Sequence, residues 1–351
     1  YLGFDLKNDV EKLTSNNIDE LHFPDLFFFQ PKKLFFIIGN TVELKYINAF
    51  QQEIITDLAE INKQPTTNNQ KPKTKNQVKI KLRVHKDAYF QKIQTILNHI
   101  HRGNIYEVNF CQEFYSENTT INPIEIYQNL NEISKPPFAT FLKRNDTFLI
   151  SASPERYLKK EGDSVISQPI KGTERRASTK EDDFKLIKEL EQNQKERAEN
   201  IMIVDLIRND LGQICKDGSI DVPRLLAVEV HPGLDHLVSD VTGELKDDLN
   251  WYQVITPLLP PGSVSGAPKS SAIRIIAEHE NNRGPYCGAL GWIQGDSCEL
   301  AVAIRTFWKD GNVLKFGTGA GITWASDPQS EWEETELKAQ RLVKIASGEI
   351  S

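Results

Sequence analysis

Between Asn62 and Lys79 the chain reads NKQPTTNNQKPKTKNQVK, a polar stretch almost free of apolar side chains. Such a segment cannot bury a core. It therefore constrains everything else, because the hydrophobic residues must close their cores on either side of it. We read residues 1–61 as a partial N-terminal subdomain, 62–85 as a loop or linker, and 86–351 as the main domain. The runs Leu26-Phe27-Phe28-Phe29 and Leu34-Phe35-Phe36-Ile37-Ile38 read as buried strands, and both are far too short to span a bilayer. Ala49 to Ile61 reads as a short amphipathic helix. The chain opens on Tyr1 and its one methionine is Met202, from which we expect the natural N-terminus to lie upstream.

The larger part alternates helix and strand patterns. Tyr89, Ile93, Ile96, Leu97 and Ile100 share one helical face within Asp87 to Arg102, and Gly103 marks the stop. Tyr106 to Tyr115, Phe138 to Leu142 and Thr147 to Ala152 read as strands. Ser178-x-x-Glu181 resembles a capping box opening one long helix to about Asp210, with Gly212 past its end. Strands resume near Gly288 to Gln294, Cys298 to Trp308 and Asn312 to Gly317, and Glu331 to Ser347 closes as a helix.

Charge narrows the partners. With a net charge of −7, the chain is a poor candidate for binding nucleic acid, and any anion it holds needs a local positive site. Its four cysteines (Cys111, Cys215, Cys287 and Cys298) form no C-x-x-C pair. They fit a reducing, cytoplasmic setting better than a disulfide framework or a zinc site. We expect no membrane partner.

Several positions carry chemistry. Lys171, between Pro169-Ile170 and Gly172-Thr173, is by itself most simply a surface lysine, but its neighbours also give it the setting of an amine held in a pocket wall. Burial there disfavours the ammonium form and favours a nucleophile. Glu196 and Glu199 in one helix, and Glu331 and Glu334 in another, are what solvated helix faces also look like. Carboxylates from two helices would equally suit one hard cation such as Mg²⁺. Gly317-Thr318-Gly319-Ala320-Gly321 ends a strand and lets backbone N–H groups approach an anion, though it also fits a plain turn. Arg305 interrupts the apolar run Leu300 to Ile304 and needs a partner, for which a carboxylate is suited. Residues 260–269 (PPGSVSGAPK) form a hydroxyl-rich turn entering a helix, Glu155 follows a strand, and His236 sits in an apolar stretch.

In order, the chain carries SPER, PIKGT, ERAEN-x-MIVDL-x-RNDLG, HLVS, PGSVSGAPK, GPYCGALGW, IRT, GAGI and E-x-x-ET-x-x-KA. This series strongly resembles the chorismate-utilising enzymes, among them the chorismate-binding subunits of anthranilate synthase and aminodeoxychorismate synthase. The resemblance covers about residues 86–351, and what precedes looks like part of the same subunits' N-terminal region. It implies an α/β (α+β) fold of two packed antiparallel sheets, a large β-sandwich flanked by helices. Anthranilate synthases usually carry alanine at the place of Lys171, whereas PIKGT is typical of the aminodeoxychorismate branch. That branch makes 4-amino-4-deoxychorismate from chorismate and ammonia through a lysine adduct at C2. Its ammonia comes from a glutamine amidotransferase partner, since no Cys-His glutaminase signature is visible here.

The resemblance further implies site roles. Glu199 and Glu334 become Mg²⁺ ligands, with Glu331 and Glu196 as helpers. Arg305, Tyr286, Lys338 and the backbone of Gly319, Ala320 and Gly321 take the second carboxylate of chorismate. Ser263, Thr306 and Glu107 line the site, Glu155 is the general acid, and His236 orients substrate. One departure stands out: ammonia-using members often have Gln where this chain has Glu107, and water-adding members have Lys. Glu107 argues against isochorismate formation, and pairing with Lys171 would raise that amine's pKa. Anthranilate synthase component I is the nearest alternative activity. A non-catalytic binding subunit is disfavoured because every implied acid and metal ligand is present.

Overall fold

The computed structural model describes residues 1–10, 23–63, 78–177, 179–231 and 234–349. Its elements run α1 (Lys7–Val10), β1 (Lys33–Ile38), β2 (Thr41–Tyr46), α2 (Ile54–Ile61), β3 (Lys81–Leu82), α3 (Lys86–His101), β4 (Glu107–Ser116) and α4 (Pro123–Ser134). Then come β5 (Phe138–Arg144), β6 (Thr147–Ser153), β7 (Arg156–Glu161), β8 (Ser164–Gln168), β9 (Ile170–Arg175), α5 (Lys180–Gln192) and α6 (Gln194–Ile214). The rest is β10 (Asp221–His231), β11 (Leu234–Glu244), α7 (Trp251–Ile255), β12 (Gly266–Ala267), α8 (Lys269–His279), β13 (Ala289–Gln294), β14 (Ser297–Val302), β15 (Thr306–Asp310), β16 (Val313–Ile322) and α9 (Pro328–Ser347). They fall into two units, one of Tyr1–Leu26 with Asn76–Ser351 and one of Phe27–Lys75.

The larger unit is built on two seven-stranded antiparallel sheets flanked by helices, the architecture that the family resemblance implies. One sheet has the order β10-β11-β8-β7-β14-β13, with β9 also on β11; the other runs β12-β4-β16-β15-β6-β5, with β3 on β4. α3 shows why local pattern and packing agree. Its buried side chains are Tyr89, Ile93, Ile96, Leu97 and Ile100, the face read from the i, i+3, i+4 spacing. Gly103 follows at φ 76°, a left-handed turn that glycine enters without strain. The chain's N-terminal residues belong to this unit, Leu2 pairing with Ala289.

The expected single long helix is instead two, α5 and α6. Asn193 ends the first, and its side chain accepts from the N–H groups of Lys195 and Glu196, so it caps the second. An Asn side chain competes with the helical backbone, which breaks the helix here despite continuous periodicity. Thr179 caps α5 by accepting from Asp182 N, while Ser178 lies outside the described residues. Gly212 sits inside α6 rather than beyond it. The expected strand from Cys298 to Trp308 is broken at Arg305, and the glycines from Gly317 to Gly321 lie within β16.

In the smaller unit β1 and β2 form a hairpin, followed by a 3₁₀ turn (Asn48–Glu53) and α2. Of the two buried strands expected, Leu34 to Ile38 does form a strand, within β1, but it is not buried, Ile37 and Ile38 being 75% and 71% exposed. Phe28 and Phe29 are in no strand. A two-stranded ribbon has too little surface to cover its own apolar face. Among the described residues no helix is long and apolar enough to cross a membrane, and all four cysteines are free and buried.

Candidate active site

A cavity of about 570 Å³ opens in the larger unit. Its floor is β16, paired with β4 so that Gly321 faces Asn109 and Gly319 faces Cys111 across the ladder. The alternate glycines are forced by close neighbours on one face of the strand. A Cβ at position 317 would stand 2.5 Å from the Tyr286 ring, and one at 321 would stand 2.9 Å from Glu107 Oε1. On one wall β9 carries Lys171, and Gly172 beside it has φ 88° with Leu190, Leu237 and Glu196 packed against it. Helices α6 and α9 supply the carboxylates.

Lys171 Nζ lies 2.7 Å from Glu107 Oε1, with the two side chains 12% and 1% exposed. Burial alone would pull the amine's pKa down. The carboxylates of Glu107, Glu199 and Glu155 outweigh it and hold the ammonium above the ordinary lysine range. The nucleophile expected from burial is thus protonated at rest, for the reason that the Glu107 pairing supplies. Glu107 Oε2 has no hydrogen-bond partner among the described residues.

Glu155, buried in the short link between β6 and β7, is pushed up to about 7 by burial, against the opposing pull of Ser263 and Lys171. A carboxyl poised there is an apt proton donor at neutral pH. His236 faces Thr173 across the β9–β11 pair, its Nδ1 3.0 Å from Thr173 Oγ1. Arg305 has φ 49°, a strained conformation for a residue with a side chain, and its carbonyl accepts from Ala152 N at 3.1 Å.

The acidic corner is held by lysines. Lys195 Nζ stands 3.6 Å from Glu331 Oε1 and 4.0 Å from Glu199 Oε1, and Lys338 Nζ is 2.7 Å from Glu334. Burial pushes Glu199 up to about 7. For Glu334 burial acts the same way, but Lys338, Lys195 and Lys171 outweigh it and hold the carboxyl below its ordinary value. Glu331 Oε2 is buried without a hydrogen-bond partner among the described residues. No three acidic, His or Cys side chains are already gathered as a metal cage among the described residues. The all-oxygen donor set, the orphaned Glu331 oxygen and the ammonium between two carboxylates nevertheless fit a hard cation such as Mg²⁺.

Of the residues singled out in the sequence, Lys171, Glu155, His236, Ser263, Tyr286, Arg305, Gly319, Gly321, Lys338, Glu196, Glu199 and Glu334 all line this cavity. Four do not. Glu107 sits behind Lys171, and Glu331 is buried beneath the acidic corner at 2% exposure. Ala320 is fully buried, and the Thr306 hydroxyl pairs with Ser151 at 2.8 Å. Asn109, Thr173, Lys195 and Arg341 also line the cavity and were not singled out. For Arg341 a signal existed: it lies seven residues past Glu334 and three past Lys338, on the same helical face.

A family profile described as chorismate binding enzyme matches residues 1–344. The chain is 40% identical over 267 residues to anthranilate synthase component 1 of Saccharolobus solfataricus, covering 76% of this chain and 63% of that relative. It is 31% identical over 370 residues to aminodeoxychorismate synthase component 1 of Bacillus subtilis, covering 99% and 77% respectively. The crystal structure of anthranilate synthase component I from Streptococcus pneumoniae matches with a TM-score of 0.87 at 28% identity, over 97% of this chain and 78% of that one. The chain thus spans less than two thirds of the Saccharolobus relative's length.

Proposed function

The chain belongs to the chorismate-binding enzymes, and on that footing we propose that it converts chorismate and ammonia to 4-amino-4-deoxychorismate. The observation that carries this reading is an amine, Lys171, lining the same cavity as a buried carboxyl, Glu155, whose pKa burial pushes up to about 7. A lysine at this place gives the site a nucleophile, and the acid gives the leaving hydroxyl a proton.

The steps follow from the residues. Lys171 first loses a proton, for which Glu107, 2.7 Å away, is the base within reach. The free amine attacks C2 of chorismate, both ring double bonds shift along the conjugated ring, and the C4 hydroxyl departs as water with the proton of Glu155. Ammonia then attacks C4, both double bonds shift back, and the C2–lysine bond breaks to return the amine of Lys171. Arg305 and Tyr286 orient the second carboxylate, and Ser263 and His236 line the approach. Glu199 and Glu334, with Glu331, would hold Mg²⁺, which when bound supplies positive charge to the ring carboxylate. The ammonia is drawn from a glutamine amidotransferase subunit, consistent with relatives named as component 1. We place this chemistry in the cytoplasm, as one step toward 4-aminobenzoate and folate.

Anthranilate synthesis is the second reading, favoured by the 40% identity to the Saccharolobus enzyme. One assay separates the two: chorismate, Mg²⁺ and an ammonium salt, followed by addition of aminodeoxychorismate lyase. Lyase-dependent 4-aminobenzoate supports the proposal. Fluorescent anthranilate would overturn it.

A further inference from the structure

Five cationic side chains line the cavity: Lys171, Lys195, Lys338, Arg305 and Arg341. Each of the three lysines faces a carboxylate, Lys171 with Glu107, Lys195 with Glu331 and Lys338 with Glu334. Lys338 also donates to the Gly319 carbonyl at 3.0 Å. The two arginines differ. Neither guanidinium has a hydrogen bond or ion pair with another described residue.

Their placement is complementary. Arg305 comes from the β14–β15 junction, where a left-handed backbone pins it. Arg341 comes from α9, on the stripe Glu334, Lys338, Arg341 and Ile345 that lines the cavity along its length. At 1.5 Å per residue the stripe from Glu334 to Ile345 rises about 16 Å, so Arg341 stands roughly two turns from the acidic corner. Burial and then the charge of Arg341 pull the Arg305 guanidinium down to about 10, which reports that the two charges feel each other. Two like charges sharing a cavity without a counter-ion are relieved by an anion between them. A carboxylate matches the planar donors of both.

We propose that Arg341 is a second guanidinium ligand for the substrate carboxylate that Arg305 takes, so that the pair selects dicarboxylates over monocarboxylates. This rests on the chorismate reading above and adds to it a residue that makes one end of the site a two-arginine clamp. Lys338, committed to Glu334 and Gly319, then serves the acidic end rather than this carboxylate. The ring carboxylate stays with the acidic corner, and the two anionic groups of one ligand are held at opposite ends of the cavity.

The test is equilibrium binding of chorismate and of benzoate, both with Mg²⁺, to the wild type, Arg341→Gln and Arg341→Lys. Losing one charge-assisted contact should weaken chorismate about tenfold or more in Arg341→Gln. Arg341→Lys should recover part of it, since it restores charge without the planar fork. Benzoate, with no second carboxylate, should change by less than about twofold, well under one such contact. Unchanged chorismate binding in Arg341→Gln overturns the proposal, and so does an equal loss for benzoate. A wild type that does not bind chorismate overturns the functional reading instead, and this inference falls with it. Arg341 is exposed on its helix, so thermal melts of the variants should match the wild type.

Discussion

Lys171 Nζ and Glu107 Oε1 are 2.7 Å apart in a setting nearly closed to solvent. The carboxylate keeps the ammonium charged, which opposes nucleophilic attack, yet it is also the group placed to take the proton. Glu107→Gln removes the charge and keeps the shape. The Lys171 pKa should then fall, because a contributor to the ammonium's stability is gone. We expect the limb of the kcat/KM profile that reports the free amine to move to lower pH by about one unit or more. The wild-type limb lies above the ordinary lysine range, so steady-state rates from about pH 8 to 11 should show the variant levelling off at lower pH, and an unmoved limb would mean the pair does not govern the amine.

Glu155 leads to a paired prediction. As a proton donor with a pKa about 7, it is competent below that pH and not above, so its contribution to turnover falls as pH rises through 7. Glu155→Gln should cost about 10²- to 10⁴-fold in kcat. Stability carries the same sign. The folded pKa lies above the ordinary 4.5, so the protonated carboxyl's stabilising contribution is complete below 4.5 and lost as pH rises through about 7. The variant should therefore gain on the order of 3 kcal/mol relative to wild type between pH 4 and pH 8. Urea denaturation at the two pH values measures the difference.

Much of this was legible in the residues, and the exceptions have physical causes. The buried face of α3 follows from spacing alone, because a half-buried helix must repeat its apolar residues. The break at Asn193 was not legible, since a single capping side chain overrides a periodicity that runs on unbroken. The phenylalanine- and isoleucine-rich runs before residue 62 have the hydrophobicity of buried strands, but hydrophobicity does not specify how many strands cover them. Lys171 and Glu155 stood out by their neighbours in sequence. The spacing of Arg341 from Glu334 and Lys338 put it on their face, but that alone did not mark it, because a helix-face arginine looks the same whether it meets water or a cavity.

The glycine at position 317 should be irreplaceable on packing grounds. An added methyl would lie 2.5 Å from two carbons of the Tyr286 ring, closer than any relaxed contact. The ring is itself stacked on Trp308 at 6.0 Å and 5% exposed, so it has little room to retreat. Gly317→Ala should cost about 1–3 kcal/mol of stability from overpacking. It should also displace Tyr286 and weaken chorismate binding. Denaturant titration and ligand binding read the two effects separately, and a variant as stable as wild type would show that the ring moves freely.

The acidic corner makes the last prediction, and it has two opposite signs. Lys195 stands between Glu331 and Glu199, at 3.6 Å and 4.0 Å, while the second Glu331 oxygen is left without a hydrogen-bond partner among the described residues. If these carboxylates and Glu334 receive Mg²⁺, the lysine is a competitor for the same charge. Glu199→Gln and Glu334→Gln each remove a donor and should weaken Mg²⁺ binding by at least about tenfold, the least that even a supporting residue costs. Lys195→Met removes the competitor and should tighten it. Because Lys195 is 45% exposed, solvent screens its hold and the gain should be a few-fold rather than larger. Calorimetric titration with Mg²⁺, without chorismate, measures all three variants. Weaker binding in Lys195→Met would mean that the lysine orders the carboxylates rather than competing for them.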